Sequence, residues 1–386
     1  MAGWWSESVI QVGLRGSAWR GLGAAVGLAG ERLRRQGPLP KIRSARSYFP
    51  DIILPHCPGS SSDPKISPVD GTLIFGGTGF LGAHVAAHCL AHSRRDATFA
   101  RPLGSAVWAV GRDVSAVPRF GNPRDGVEFL VRDLEPEGAA RVLLEELKPK
   151  RVLLLAALSR VRDCEEQPEL AERMNVDLPR EVAEWCGQRG ARLIHVSSDL
   201  VFGADPPPVD GFREEDMPAP VSRYGDTKAR GEHGVLLAAP AALVVRLPLL
   251  YGDSGGRGLG ASDSLLVAVD KGANPPLFTD EYRTPLEVSQ VAAALVELLG
   301  RNDTGLLHLA GPERLTRHGL GLIVLETHGL SPDEAAGSVR RALQGDLDTG
   351  GPRAGDTSLC GKRARGRLES PLDGPSEALV KAHRSV

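Results

Sequence analysis

The chain has 386 residues, of which 41% are hydrophobic and 24% charged, and a formal net charge of −2. That is ordinary for a soluble globular protein, long enough for one large α/β domain with a smaller lobe and tails. The near-zero charge makes no electrostatic case for nucleic acid or an acidic membrane as partner. No window approaches the ~20 apolar residues a membrane span needs; the best stretch, Val235 to Tyr251, is broken by Pro240, Arg246 and Pro248. The five cysteines (Cys57, Cys89, Cys164, Cys186, Cys360) contain no C-x-x-C pair. They speak against a disulfide framework or a zinc site and fit a reducing compartment.

Met1 to Pro50 carries eight Lys/Arg against only Glu7 and Glu31. An Arg-rich, acid-poor leader has the composition of an organellar transit peptide, for plastid or mitochondrion. A plain N-terminal extension on a cytoplasmic protein is the alternative. Ser60 to Pro68 reads as a linker from its Ser and Pro content.

From Gly71 short apolar runs alternate with helical stretches. Thr72–Phe75, Val107–Val110, Val127–Val131, Val152–Leu155, Leu193–Val196 and Leu243–Val245 read as strands, with helices over Phe80–Ser93, Glu137–Leu147 and Pro179–Gln188. Such alternation implies βαβ units and a parallel sheet buried on both faces. The expected class is therefore α/β, a Rossmann-type doubly wound parallel sheet with a small C-terminal substrate lobe. Glu287–Leu299 reads as a further helix, Leu306–Leu309 as a strand, and the chain beyond Gly345 as irregular. This divides the chain into an extension (1–70), a dinucleotide-binding domain with the catalytic helix (71–250), and a mainly substrate-binding lobe with its tail (251–386).

The first strand runs directly into Gly76-Gly77-Thr78-Gly79-Phe80-Leu81-Gly82 and then a helix. In this G-x-x-G-x-x-G spacing one glycine makes the tight turn, one lets the backbone approach a pyrophosphate, and one lets helix and strand pack closely. The helix N-terminus offers N–H groups and a partial positive charge to the phosphates. The second strand ends in Gly111-Arg112-Asp113. Arg112 suits the 2′-phosphate of NADP, whereas Asp113 would suit the ribose 2′-hydroxyl of NAD. NADP(H) is the expected cofactor, with NAD as the alternative. Asp133 and Leu134 close the third strand, where they could meet the adenine.

His195-Val196-Ser197-Ser198-Asp199 ends another strand, at the sheet edge where α/β proteins bind ligands. Tyr224 and Lys228 stand at i and i+4 on a following helix. A phenol beside an ammonium has its phenolate favoured, so Lys228 is expected to lower the pKa of Tyr224 into a usable acid/base range. With a serine hydroxyl to hold a carbonyl, these are the parts of a ketone reductase.

Taken with Ala156-Ala157, Asn175-Val176, Ser197–Phe202, Arg213–Pro220, Tyr224–Lys228 and Arg246–Gly252, the chain from Gly71 onward resembles an extended short-chain dehydrogenase/reductase. The similarity is to the dTDP-4-dehydrorhamnose reductase-like branch, which also contains the regulatory beta subunit of methionine adenosyltransferase. The resemblance implies Ser198 as carbonyl-binding hydroxyl, Tyr224 as proton donor and Lys228 as holder of the nicotinamide ribose. Gly76, Gly79, Phe80, Leu81, Gly82, Arg112, Asp133, Leu134, Ala156 and Ala157 would line the cofactor cleft, with Tyr224 and Lys228 also touching the cofactor. Asn175 would steady the active-site helix. Arg283 matches a substrate-lobe arginine and could meet a diphosphate, with a surface salt bridge as the plain alternative.

Some features depart from that pattern. Leu200 replaces the usual aromatic or polar residue after the strand-end Ser-Asp, and the three-arginine loop from His92 to Ser105 is long. Pro352-Arg353 only approximates the C-terminal signature. His84, His88 and His92 repeat at helical spacing but lack acidic companions, so no metal site is expected. Pro206–Pro208 reads as a stiff loop, and Lys362–Arg367 as a basic run that could touch an anionic partner. Two functions follow. One is an NADP(H)-dependent reductase of a keto-sugar or nucleotide-sugar, with RmlD-like substrate binding. The other is an NADP(H)-binding regulatory subunit partnering methionine adenosyltransferase. A homodimer is left open.

Overall fold

The computed structural model describes residues 69–94, 106–113 and 126–384. The Arg-rich leader, the Ser/Pro linker and residues 95–105 of the loop before the second strand, with Arg95 and Arg101, lie outside these residues. Strand β1 (Val69–Phe75) turns into helix α1 (Phe80–Arg94), followed by β2 (Ala106–Gly111) and β3 (Val127–Val131). Next come α2 (Ala139–Leu147), β4 (Pro149–Leu154), the short helices α3 (Val161–Glu166) and α4 (Pro168–Glu172), then α5 (Leu178–Arg189) and β5 (Arg192–Ser198). The first half closes with α6 (Arg223–Ala238) and β6 (Leu243–Leu247).

Beyond β6 the elements shorten to β7 (Leu250–Tyr251), α7 (Gly260–Asp270), β8 (Pro276–Phe278), β9 (Tyr282–Arg283) and β10 (Leu286–Glu287). Helix α8 (Val288–Leu299) and β11 (Gly305–His308) lead to β12 (Leu315–Thr316), α9 (Arg317–Thr327), α10 (Pro332–Gly337) and β13 (Arg340–Ala342). Helices α11 (Lys362–Arg365) and α12 (Pro375–Arg384) end the described chain.

The parallel Rossmann-type sheet expected from the alternation is present, with seven strands in the order β11-β6-β5-β4-β1-β2-β3. Side chains alternate across it. Leu73 and Phe75 of β1 face one layer with Trp108, Val110 and residues of α2 and α5, while Ile74 faces the other with Val85, Ala109 and Leu295. Both faces are covered, which is why the strands read as near-continuous apolar runs. No helix among the described residues is long and apolar enough to cross a membrane.

The chain after residue 250 does not all form one lobe. A smaller core gathers Tyr251, Leu265, Leu277, Leu320, Val324 and Val339. Residues 286–309 instead return to the main sheet: α8 packs against α1, and β11 pairs with β6 at the sheet edge. Beyond Gly345 the chain runs without a regular element from residue 347 to α11, yet it is packed. Thr357, Ser358 and Leu359 are buried there, because the Phe212 N–H donates to Ser358 O (2.8 Å) and the Cys360 N–H to Phe212 O (2.7 Å). Its basic run is answered within the chain, Lys362 by Asp210 and Arg363 by Glu214 and Glu215.

Helix α6 carries two of the expected site residues and is fixed at three points. The Ser222 hydroxyl caps its N-terminus by accepting from the Gly225 N–H (3.2 Å). Inside, Glu232 takes two guanidinium nitrogens of Arg246 on β6 (3.0 and 2.7 Å), both side chains fully enclosed. At Gly231 the helix lies so close to the preceding layer that a Cβ would stand 2.1 Å from the carbonyl of Asn175. Gly231→Ala is therefore expected to destabilise the fold by about 1–3 kcal/mol, since neither backbone can yield cheaply. Urea unfolding of the variant checks this, and an unchanged midpoint would show that α6 can shift freely.

Candidate active site

The turn after β1 is tied to both neighbouring strands. The N–H groups of Gly76 and Gly77 donate to Val110 O on β2 (2.9 and 2.8 Å). Those of Leu155 and Ala156, just past β4, donate to Phe75 O (2.9 and 3.1 Å). Gly76 needs its freedom, with φ at 83°, and Gly82 has no room for a side chain, because a Cβ would fall 2.1 Å from Gly76 O. At Gly79 the reverse holds. A Cβ there would have a single close neighbour, Gly76 O at 3.3 Å, so its open side forms a cradle at the start of α1.

That cradle opens into a cleft of about 550 Å³, where the strand order reverses between β1 and β4. Gly76, Gly79, Phe80, Leu81, Gly82, Arg112, Asp133, Leu134, Ala156 and Ala157 all line it. At its outer end Arg112 pairs with Glu135 (3.0 Å) and keeps 76% of its side chain exposed, while Asp133 accepts from the Glu135 N–H (3.0 Å). Sequence reading missed Thr78, Met174 and Arg257 in this lining. Arg257 carries no local signal, for it reaches the glycine turn only through the tertiary fold.

Ser198, Tyr224 and Lys228 lie beyond that lining and are nearly enclosed, with exposures of 9%, 9% and 2%. The Ser198 hydroxyl acts on the Tyr224 phenol, pulling its pKa down. The Ser198 hydroxyl donates to Asp199 Oδ1 (3.1 Å) and accepts from the Leu200 N–H (3.2 Å). Lys228 points to β5, donating to Val196 O (2.8 Å) with His195 Nε2 at 3.5 Å.

This orientation corrects the expected tuning of the phenol. Burial pushes the Tyr224 pKa up, the Ser198 hydroxyl opposes the rise, and the Asp199 charge adds to it. The Lys228 ammonium is spent on β5, not on the phenol. Burial lowers Lys228 itself to about 8 and holds His195 well below the ordinary imidazole range, so His195 is a neutral acceptor.

Asn175 sits in a single π-helical turn (Arg173–Asp177) and is completely buried. Its amide donates to Leu158 O (3.0 Å) and Thr227 Oγ1 (3.1 Å) and accepts from the Leu158 N–H (3.0 Å). It thereby joins the end of the cofactor cleft to α6, at the residue between Tyr224 and Lys228 that faces it.

Arg283 is neither a surface residue nor a group open to a diphosphate. It is 5% exposed, with Asp199 at 3.4 Å and Glu281 at 3.3 Å. Burial raises Glu281, but Arg283, Arg353 and Arg317 outweigh it and hold the carboxyl at about 2. Burial likewise raises Asp199, against the pull of Arg283 and of Thr357, whose hydroxyl donates to it (2.9 Å). The histidines of α1 make separate contacts, His84 with Asp253 O (2.7 Å) and His88 with Ser289 (3.1 Å).

A parallel sheet with a glycine turn at its switch point, and a Ser–Tyr–Lys cluster at the next strand end, defines the extended short-chain dehydrogenase/reductase class. Residues 71–344 match the RmlD substrate binding domain family, and the chain belongs to it. It is 32% identical over 271 residues to a probable low-salt glycan biosynthesis reductase of Haloferax volcanii, covering 69% of this chain and 86% of that one. It is 32% identical to methionine adenosyltransferase 2 subunit beta of Xenopus laevis, covering 64% of this chain and 77% of the relative. With dTDP-4-dehydrorhamnose reductase of Mycolicibacterium smegmatis it shares 31% over 61% of this chain and 70% of the relative. Among solved structures, dTDP-4-dehydrorhamnose reductase from Bacillus anthracis in complex with NADP superposes with a TM-score of 0.65 at 18% identity, over 82% of this chain and all of that one. That likeness establishes the fold.

The enclosed Lys228 gives a test of this geometry. Between about pH 8 and 10.5 the unfolded chain binds the Lys228 proton while the folded chain does not, so stability rises with pH across that window. Below it the cost of the buried ammonium is present in full. Lys228→Met is expected to gain up to about 3 kcal/mol relative to wild type at pH 7, an advantage that shrinks towards pH 10.5. Urea titrations at both pH values measure it; a pH-independent difference would place the ammonium in water.

Proposed function

We propose that this protein is an NADP(H)-dependent reductase of a keto-sugar carried on a nucleotide. The observation that carries this reading is that the glycine-turn cleft reaches β5 beside the Ser198–Tyr224–Lys228 cluster. The cleft meets Val196, whose carbonyl holds Lys228. The open cradle at Gly79 and the α1 N-terminus fit a pyrophosphate, and Arg112 at the end of β2 fits a 2′-phosphate in exchange for Glu135. The reductase names among the relatives support the substrate class.

NADPH, when bound, supplies a hydride for a carbonyl carbon. This chain's own groups then handle the oxygen. The raised pKa of Tyr224 keeps its phenol protonated at neutral pH, so it can donate once the carbonyl oxygen gains negative charge. Ser198 has a single proton, directed at Asp199, and binding a carbonyl requires the hydroxyl to turn from that carboxylate to the substrate. Lys228 donates to Val196 O, so offsetting the phenolate charge as Tyr224 releases its proton requires its ammonium to turn from that carbonyl to the phenol. Enclosure of all three groups excludes water and strengthens each of these interactions.

A second reading is favoured by one specific observation, the relatives named as methionine adenosyltransferase 2 subunit beta. On that reading NADP(H) binds as a structural ligand and the partner is methionine adenosyltransferase. Oxidation of NADPH against a panel of 4-keto nucleotide sugars decides between them. Tyr224→Phe is expected to lower kcat by about 10²–10⁴-fold while NADPH affinity stays within a few-fold of wild type. Tight NADPH binding with no turnover on any sugar, together with a stable complex with methionine adenosyltransferase, would replace the first reading by the second.

A further inference from the structure

The segment from Gly252 to Gly260 crosses from the C-terminal lobe onto the glycine turn. Gly255, Gly256, Gly258 and Gly260 have φ between 67° and 78°, which folds it into a tight strap around Arg257. Ser254, fully buried, organises it. Its hydroxyl accepts from the N–H groups of Arg257 and Leu259 (both 3.1 Å) and donates to Asp263, which also accepts from the Gly258 N–H (2.9 Å). The strap is seated on α1 as well. His84 Nε2 donates to Asp253 O (2.7 Å), and the Phe80 ring occupies the space that a Cβ on Gly260 would need.

The result is a guanidinium delivered to a fixed point. Arg257 Nε donates to Ser254 O (2.9 Å), and one terminal nitrogen donates to Thr78 O inside the glycine turn (3.0 Å). This puts a positive charge on the cleft wall next to the Gly79 cradle. At the other end of the cleft Arg112 pairs with Glu135 and Arg132 donates to the Val131 carbonyl. A carbonyl needs no charged donor, and a glutamine or lysine would anchor the strap as well. A planar guanidinium held rigidly beside helix N–H groups suits an oxyanion that accepts from both.

We infer that Arg257 is a ligand-binding residue that clamps the diphosphate of the dinucleotide against the glycine turn. The inference rests on the cofactor reading above. The strap makes the clamp preorganised: its backbone is already hydrogen-bonded, so little further ordering opposes binding. The diphosphate would meet α1 N–H groups on one side and Arg257 on the other, while the 2′-phosphate stays at Arg112, at the far end of the cleft.

Arg257→Gln keeps a neutral donor for Thr78 O and removes the charge. Calorimetric titration with NADPH is expected to show about 10- to 100-fold weaker binding for this variant, the range for losing a hydrogen bond to a charged group. Adenosine 2′-monophosphate, which lacks the diphosphate, is expected to bind both proteins equally in a thermal-shift assay. Wild-type NADPH affinity in Arg257→Gln, or an equal loss for adenosine 2′-monophosphate, overturns the clamp and leaves the cofactor reading standing. Failure of the wild-type protein to bind NADPH overturns both, so the two failures are distinguishable.

Discussion

The site depends on a single steric constraint, the approach of two helices to backbone at distances that only glycine permits. Gly82 brings α1 onto the carbonyl of Gly76, and Gly225 and Gly231 bring α6 onto those of Leu200 and Asn175. In each case a Cβ would lie 2.1 Å from a main-chain oxygen, far inside contact distance. One helix thereby aims its N-terminus at the cleft between β1 and β4. The other sets Tyr224 and Lys228 against the end of β5. Leu200 donates its N–H to Ser198 and Asn175 is the centre of the π-helical turn, so the closeness of α6 fixes the cluster's dimensions.

Electrostatics then acts on groups already held in place. Burial, more than any partner, dictates the ionisation of the cluster: it raises Tyr224, lowers Lys228 and keeps His195 neutral. The three arginines around Glu281 reach Ser198 only through Asp199, so the C-terminal lobe contributes to the site by fixing a carboxylate. The same lobe contributes the strap that returns to α1.

Much of this was legible in the amino-acid order. The strands of the main sheet stand within a few residues of their expected bounds, because strands buried on both faces must be runs of Val, Ile and Leu. Eight of the ten cleft residues follow from a local motif and from strand ends, which converge on one edge of a parallel sheet, while Ala156 and Ala157 follow from the family resemblance. Arg257, the buried state of Arg283 and the packed chain around Thr357 were not legible. Each depends on contacts across some 70 to 180 positions, as Arg257 on Thr78 and Arg283 on Ala354 illustrate, and no local pattern encodes such a partner.

The sequence by itself determined the sheet, the glycine turn and the chemical types assembled at the end of β5. Periodicity and short-range spacing set these, and both are properties of neighbouring residues. The tertiary structure alone decided where the charges point. Tyr224 and Lys228 share a helical face by spacing, yet Lys228 donates to Val196 O because burial leaves an ammonium to seek the nearest strong acceptor. Arg283 is drawn between Asp199 and Glu281 for the same reason. A buried charge goes where an acceptor or a counter-charge is, and only the folded chain brings the two together.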